Sequence, residues 1–267
     1  MYTLSYQVML PPEVLGRRIR FFRNRAGISQ FDLEIALDAS AGMISRIESG
    51  KVNPTKETIT KIAGELSINS RELDYLIGAI ATPATKKQVD QVIAIVKGKM
   101  DSPSVFSYLI DDRFRLLYLS KGFERLFSNL IPNYFEVKDK VLGHTMAQIL
   151  VDKSIGVVNT LDKEQYENML LMQLGRLKKH MDFMFDDIYY KEVLDIIQSD
   201  PKVIKIWESI DEANINFNSI DAKTVVFHFK GFKFKMNFAR ECVWNYPRFE
   251  TVEYIPTNKL VQFMLSL

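Results

Sequence analysis

Two hydrophobic periods divide this chain. Between residues 13 and 78, apolar positions recur every three or four residues in short blocks, the spacing of one helix face. Val14, Leu15, Ile19 and Phe22 mark a first helix over 13–25, which Gly27 is placed to end. Ser29 then opens Ser-Gln-Phe-Asp, where its hydroxyl can cap free amides while Asp32 sits at the third helical position. The second helix, 30–37, is expected to pack through Leu33, Ala36 and Leu37. After a turn at Asp38-Ala39, Ser40 is the expected cap of a third helix, 41–49, which packs through Ile44 and Ile47 and stops at Gly50. A fourth helix (55–66) carries Ile59, Ile62, Ala63 and Leu66, and a fifth follows at 71–77.

Residues 79–85 read as a linker, because Pro83 breaks any helix and small residues surround it. A helix over 86–99 places Val89, Val92, Ile93 and Val96 on one face. Residues 104–120 suggest two strands joined at Asp111-Asp112, with a helical stretch at 121–129. The middle, 143–216, is mostly helical: one long segment runs from Lys163 to about Phe185, and Pro201 opens another that carries Trp207. From 222 the period becomes two. With Lys230-Gly231 as a two-residue turn, Phe229 lies opposite Phe232, Phe227 opposite Phe234, and Val225 opposite Met236. Those six share one face, while Val226, His228, Lys233 and Lys235 take the other, so register and pattern agree. A last strand is expected at 249–255. The organisation is therefore a helical domain (1–78), a linker with a connecting helix (79–102), and an α+β domain with an antiparallel sheet (103–267).

Composition narrows this little. A chain of 267 residues suits about two domains, and 47% apolar residues suffice for their cores. A net charge of +2 announces no nucleic-acid partner, but Arg17, Arg18, Arg20, Arg23 and Arg25 put five cations in nine residues. The plain reading of such a run is a solvated helix face. Cys242 is the one cysteine, so no internal disulfide forms, which fits a reducing compartment. His144, His180 and His228 have no ligand partners at metal spacing, so neither a metal nor another cofactor is expected. The first residues lack a basic, apolar leader, and no run of 18 apolar residues exists. The expectation is a cytoplasmic protein without membrane contact. There is no nucleophile elbow, phosphate-binding glycine loop or zinc-protease motif, so no enzyme is expected. Asp111-Asp112 and Asp186-Asp187 are adjacent carboxylates that diverge, and they read as turn and surface groups.

The string RIRFFRNRAGISQFDLEIALDASAGMISRIESGKVNPTKETITKIAGEL resembles the Cro/CI-type, or XRE-type, helix-turn-helix family of prokaryotic transcription regulators. Ser29-Gln30 followed by ISRIESGKVNP carries the likeness, which covers about 65 residues. It implies a five-helix lambda-repressor-like domain whose third helix enters the major groove of double-stranded DNA. On that likeness Ser40, Ala41, Gly42, Met43, Ser45 and Arg46 line the groove side, Arg46 being able to bind guanine bidentately. Gln30 touches a phosphate or braces the recognition helix, while Lys51 and Asn53 follow the backbone. Arg23 and Glu48 form a structural ion pair, and Arg17 with the other first-helix arginines can neutralise phosphates. Polar residues often stand where Ala41, Gly42 and Met43 are found. Gly42 inside a helix should cost about 1 kcal/mol against Ala, and DNA shape is expected to carry more of the specificity. The plainer alternative is a helix-turn-helix used only for protein contacts.

Beyond it, SYLIDDRFRLLYLSKGFERLF, PKVIKIWESI and PRFETVEYIPT resemble the MmyB-like ligand-binding domain, a PAS-like module, over about 150 residues. The resemblance implies a small apolar or amphipathic effector such as a fatty acid. Phe227, Phe229, Phe232, Phe234 and Met236 are the candidate pocket wall, although an aromatic stripe is first of all core. Met169, Met172, Met181 and Met184 could line it, with core packing again the safer assignment, and Trp207 and Trp244 read as core anchors. His228 is assigned no function. A homodimer on an inverted-repeat operator is expected. The alternative is a second domain that serves as a protein-interaction or dimerisation module without a ligand.

Overall fold

Helical spacing and local caps build residues 10–80. A computed structural model describes residues 10–80, 82–102, 105–130, 134–155, 163–210, 224–229 and 232–257. The chain divides into two units, Met1–Pro83 and Ala84–Leu267. The first holds α1 (Pro12–Arg25), α2 (Gln30–Ala36), α3 (Met43–Glu48), α4 (Lys56–Glu65) and α5 (Ser70–Ile77). Pro12 opens α1, where a missing amide costs nothing. Ser29 caps α2 by accepting from the Asp32 amide at 3.0 Å, and Thr55 caps α4 in the same way at 3.1 Å. Asn69 and Glu72 form a reciprocal capping box on α5. Leu15, Ile19, Phe22, Leu33, Ile44, Ile47, Ile62 and Leu76 make the buried core. Ala36, expected in that core, is exposed, and Leu37 is half-buried.

The second unit begins with α6 (Lys86–Met100), whose capping box joins Thr85 to Gln88. Then come β1 (Phe106–Asp111), β2 (Leu116–Leu119), α7 (Lys121–Leu130), α8 (Tyr134–Val141), α9 (Met146–Val151), α10 (Lys163–Met181), α11 (Ile188–Ser199) and α12 (Pro201–Ser209). β3 (Thr224–Phe229), β4 (Phe232–Val243) and β5 (Tyr246–Pro256) close it. The strands form one antiparallel sheet in the order β2-β1-β5-β4-β3. β3 and β4 pair Phe229 with Phe232, Phe227 with Phe234 and Val225 with Met236, the register that period two dictates. Met236 is buried, whereas the side chains of Phe227, Phe229, Phe232 and Phe234, and the turn at 230–231, lie outside the described residues.

One face of the sheet presents Leu109, Val243 and Phe249 to Val92 and Met100 of α6, with Val89, Ile93 and Val96 partly buried at the edges. The connecting helix is thus a layer of the second unit's core. Tyr108 and Ile110 point to the other face, toward α9 and α10.

Several expectations fail here, those at Asp112 and Asp187 through partners remote in sequence. Asp111 and Asp112 are buried, because Arg115 and Arg113 fold back on them and Arg248 of β5 donates to Asp112 at 2.7 Å. Asp187 is buried too: it caps α11 and receives Arg113 at 2.8 Å. Trp244 is 86% exposed, because it occupies the β4–β5 turn where Asn245 takes φ of 64°. Trp207 is half-buried beneath the Lys178 ammonium, 5.4 Å from its ring. The long α10 ends at Met181, short of Phe185. Among the described residues no helix is long and apolar enough to cross a membrane.

Candidate nucleic-acid interface

A short helix between two turns must satisfy its first amides from outside itself. Ser40 is the expected cap of α3, and the structure replaces it. Gly42 is the N-cap residue, with φ of 75°, a left-handed conformation that glycine adopts without penalty. Ser40 and Ala41 precede the helix. Gly42 lies outside the helix interior, so the expected cost of a mid-helix glycine does not apply. The amides go instead to Glu34: Gly42 N donates to Oε2 at 3.1 Å and Ile44 N to Oε1 at 3.0 Å. Glu34 is a buried carboxylate on α2, so one helix caps the next and fixes the angle between them. The one signal in the sequence was a carboxylate directly beside Leu33 on the packed side of α2.

The other end of α3 is fastened by Glu48. Arg23 Nε donates to Oε1 at 2.6 Å and Arg23 Nη2 to Oε2 at 3.1 Å. Arg20 Nε reaches Oε2 at 3.2 Å and Gln30 Nε2 reaches it at 2.7 Å. Burial pushes the Glu48 carboxyl up. Hydrogen bonds from Arg23 and Gln30, the Arg23 charge and the Arg20 bond outweigh it and hold the group below the ordinary carboxylate range. Gln30 therefore braces α3 through Glu48.

The run of first-helix arginines separates by partner. Arg18 is buried, donates to the Tyr75 carbonyl and lies 3.6 Å over the Tyr75 ring. Arg25 pairs with Glu72 and stands 4.8 Å over Phe22. Arg18 is thereby part of the scaffold, whereas Arg25 is tied to Glu72 with its side chain still 40% exposed. Arg17 is exposed, with no ion pair among the described residues.

What remains on the outer side of α3 is open to solvent. Ser40, Ala41, Gly42, Ser45 and Arg46 are exposed, Met43 is half-buried, and Lys51 and Asn53 are exposed just beyond. Arg46 Nη2 sits 3.5 Å from Ser40 Oγ, a contact weak enough to leave the guanidinium available. Ile44, Ile47 and Glu48 face inward.

Residues 14–64 match the helix-turn-helix domain family. The matched helix-turn-helix segment runs from α1 into α4 and contains both carboxylate clamps. No curated protein matches the chain. A helix-turn-helix domain is a DNA-binding architecture, and DNA binding is the activity this part of the chain supports.

The Glu34 clamp makes a prediction. Glu34→Ala strands two amides and is expected to cost the helix-turn-helix domain about 1–2 kcal/mol, with Glu34→Gln recovering part through its remaining carbonyl oxygen. Thermal unfolding followed by far-UV circular dichroism measures it. Equal stability of Glu34→Ala and the unaltered protein would mean that solvent caps α3.

Proposed function

We propose that the chain is an XRE-type transcription regulator of prokaryotic type, acting in the cytoplasm without catalysis. Its lambda-repressor-like first unit lays α3 in the major groove of operator DNA. Arg46 reads a guanine, Ser40, Ala41, Gly42, Met43 and Ser45 complete the groove surface, and Arg17, Lys51 and Asn53 meet phosphates. Two copies bind an inverted repeat, because a two-fold operator matches a two-fold protein. The PAS-like second unit senses a small amphipathic effector and biases the DNA-bound arrangement. The observation that carries the DNA reading is the clamping of α3 at both ends by Glu34 and Glu48 with its outer side left open. The β1–β2 hairpin followed directly by α7, and the closing β3–β5 strands, support the PAS-like reading.

The test uses an operator selected from random duplexes with the full chain. Arg46→Ala is expected to relax preference at one base pair by about 1–3 kcal/mol, leaving other positions as they were. Arg17→Ala is expected to weaken binding evenly and to lower the salt slope by about one. If neither substitution changes binding, α3 is not the reading element. A second reading, a protein-docking role for the second unit, is favoured by the 86% exposed Trp244 on the β4–β5 turn. Native mass spectrometry of protein taken from cells separates the two, by a bound small mass or a bound polypeptide.

A further inference from the structure

The sheet has two edges, β2 and β3. An edge strand aims a row of backbone N–H and C=O groups away from the sheet, and an edge that is not blunted templates another strand. The fold treats its two edges differently. β2 is four residues long, and its outer side meets the turn before α9. Leu116 N donates to the His144 carbonyl at 2.8 Å, Gly143 N donates to the Leu116 carbonyl at 2.7 Å, and Arg115 bridges to Thr145. β3 has six residues, and among the described residues no strand pairs with its outer side. Its sequence, Thr-Val-Val-Phe-His-Phe, holds no lysine, arginine, carboxylate, glycine or proline, the residues that blunt an edge. All six residues pair with β4 in one register, whereas the β1–β2 and β4–β5 ladders each shift once.

The register decides which groups face outward. Two residues separate Phe229 from Phe232, and a pair flanking such a connection exchanges both of its backbone bonds. Bonded pairs alternate along an antiparallel ladder. Phe229, Phe227 and Val225 therefore bond to β4, and Thr224, Val226 and His228 turn their N–H and C=O groups to the free side.

We propose that this edge is the dimer interface, with the β3 strands of two copies paired antiparallel about a two-fold axis at Val226. Val226 then lies opposite its own mate and Thr224 opposite His228 of the partner subunit, so that about six backbone bonds form. The two five-stranded sheets become one continuous sheet. An antiparallel strand is its own complement under a two-fold axis, and β3 supplies one such edge per copy, so the assembly closes at two. Any other antiparallel register leaves part of the outward row unbonded. The proposal rests on the two-copy reading of operator binding and gives it an interface.

The experiment follows the full chain by light scattering over a dilution series. A concentration-dependent dimer is expected. Val226→Pro removes an outward donor and no bond to β4, so it should raise the dimer dissociation constant at least tenfold with the far-UV circular dichroism unchanged. Cross-linking gives a second measurement, in a Cys242→Ser background because Cys242 is exposed. On oxidation Val226→Cys should form a disulfide with its mate, since facing Cα atoms of a bonded pair lie about 5.5 Å apart. Val225→Cys should not, because its mate stands two residues out of register, roughly 8 Å away. A folded Val226→Pro that dimerises as tightly as the unaltered chain overturns the proposal, as does Val226→Cys that cross-links no faster than Val225→Cys. If Val226→Pro fails to fold, the cross-link decides. An unaltered chain that stays single at every concentration also overturns it. The number of copies on the selected operator is measured in parallel. One copy on the operator removes the two-copy reading as well, whereas two copies there, with any of those failures, removes the β3 interface alone.

Discussion

Arg113→Ala is expected to destabilise the second unit by about 3–5 kcal/mol, the loss typical when one partner of a buried ion pair is removed. The Arg113 side chain has no solvent exposure. Its Nη1 donates to Asp112 Oδ2 at 2.8 Å, and its Nε and Nη2 donate to Asp187 Oδ2 at 3.1 and 2.8 Å. Burial works against its charge, and the two carboxylates outweigh that and hold its pKa above the ordinary arginine value. The cluster ties the β1–β2 turn to the start of α11, and Arg248 extends it to β5. The loss measures stranded carboxylates more than a net gain from the intact pair, because a buried pair replaced whole by apolar groups is often neutral. Adding Asp187→Asn to Arg113→Ala should therefore restore part of the stability, since asparagine keeps the α11 cap without the charge. Both tryptophans, Trp207 and Trp244, belong to the second unit, so their fluorescence in urea follows this unit alone. A loss below about 1 kcal/mol, or no recovery in the double variant, would mean that water reaches the cluster.

The same cluster shows where sequence reading stops. Asp111-Asp112 reads as an exposed turn because its partners are remote: Asp187 is 74 residues from Arg113, and Arg248 is 136 from Asp112. Periodicity reports which face is apolar, not which distant charge arrives there. The β3–β4 register was legible because pattern and a two-residue turn point the same way within fifteen residues. The cap of α2 was legible at Ser29; the caps of α4, α5 and α6 at Thr55, Asn69 and Thr85 are equally local, though the sequence reading did not assign them. The start of α3 was not legible, since its cap comes from Glu34 on the preceding helix, and Ser40 offers a plausible cap that goes unused. The partners of Arg18 and Arg25 were not legible for a similar reason: Tyr75 and Glu72, which they reach, lie in α5.

The second large effect concerns a glycine whose role no periodicity reveals. By helix propensity, Gly16→Ala in the interior of α1 should stabilise by up to about 1 kcal/mol. The structure predicts the opposite sign. A Cβ on Gly16 would lie 2.4 Å from the Ile47 carbonyl oxygen, 2.6 Å from that of Glu48 and 2.8 Å from the Glu48 carbonyl carbon. These are backbone atoms and cannot rotate away, so α3 must move off α1. That motion strains the Arg23–Glu48 bonds, and overpacking of this kind costs about 1–3 kcal/mol. Gly64→Ala in α4 is the control, because nothing lies within 4 Å of its added Cβ, and there propensity alone should act. Far-UV circular dichroism should show the first unit melting earlier in Gly16→Ala and later in Gly64→Ala, with tryptophan fluorescence unchanged in both. Operator affinity should fall in the first and hold in the second, since α3 is displaced only there. Two substitutions identical in chemistry and opposite in sign would separate packing from propensity. If both stabilise, α1 and α3 stand further apart than described, and α3 is not held against α1 for groove binding.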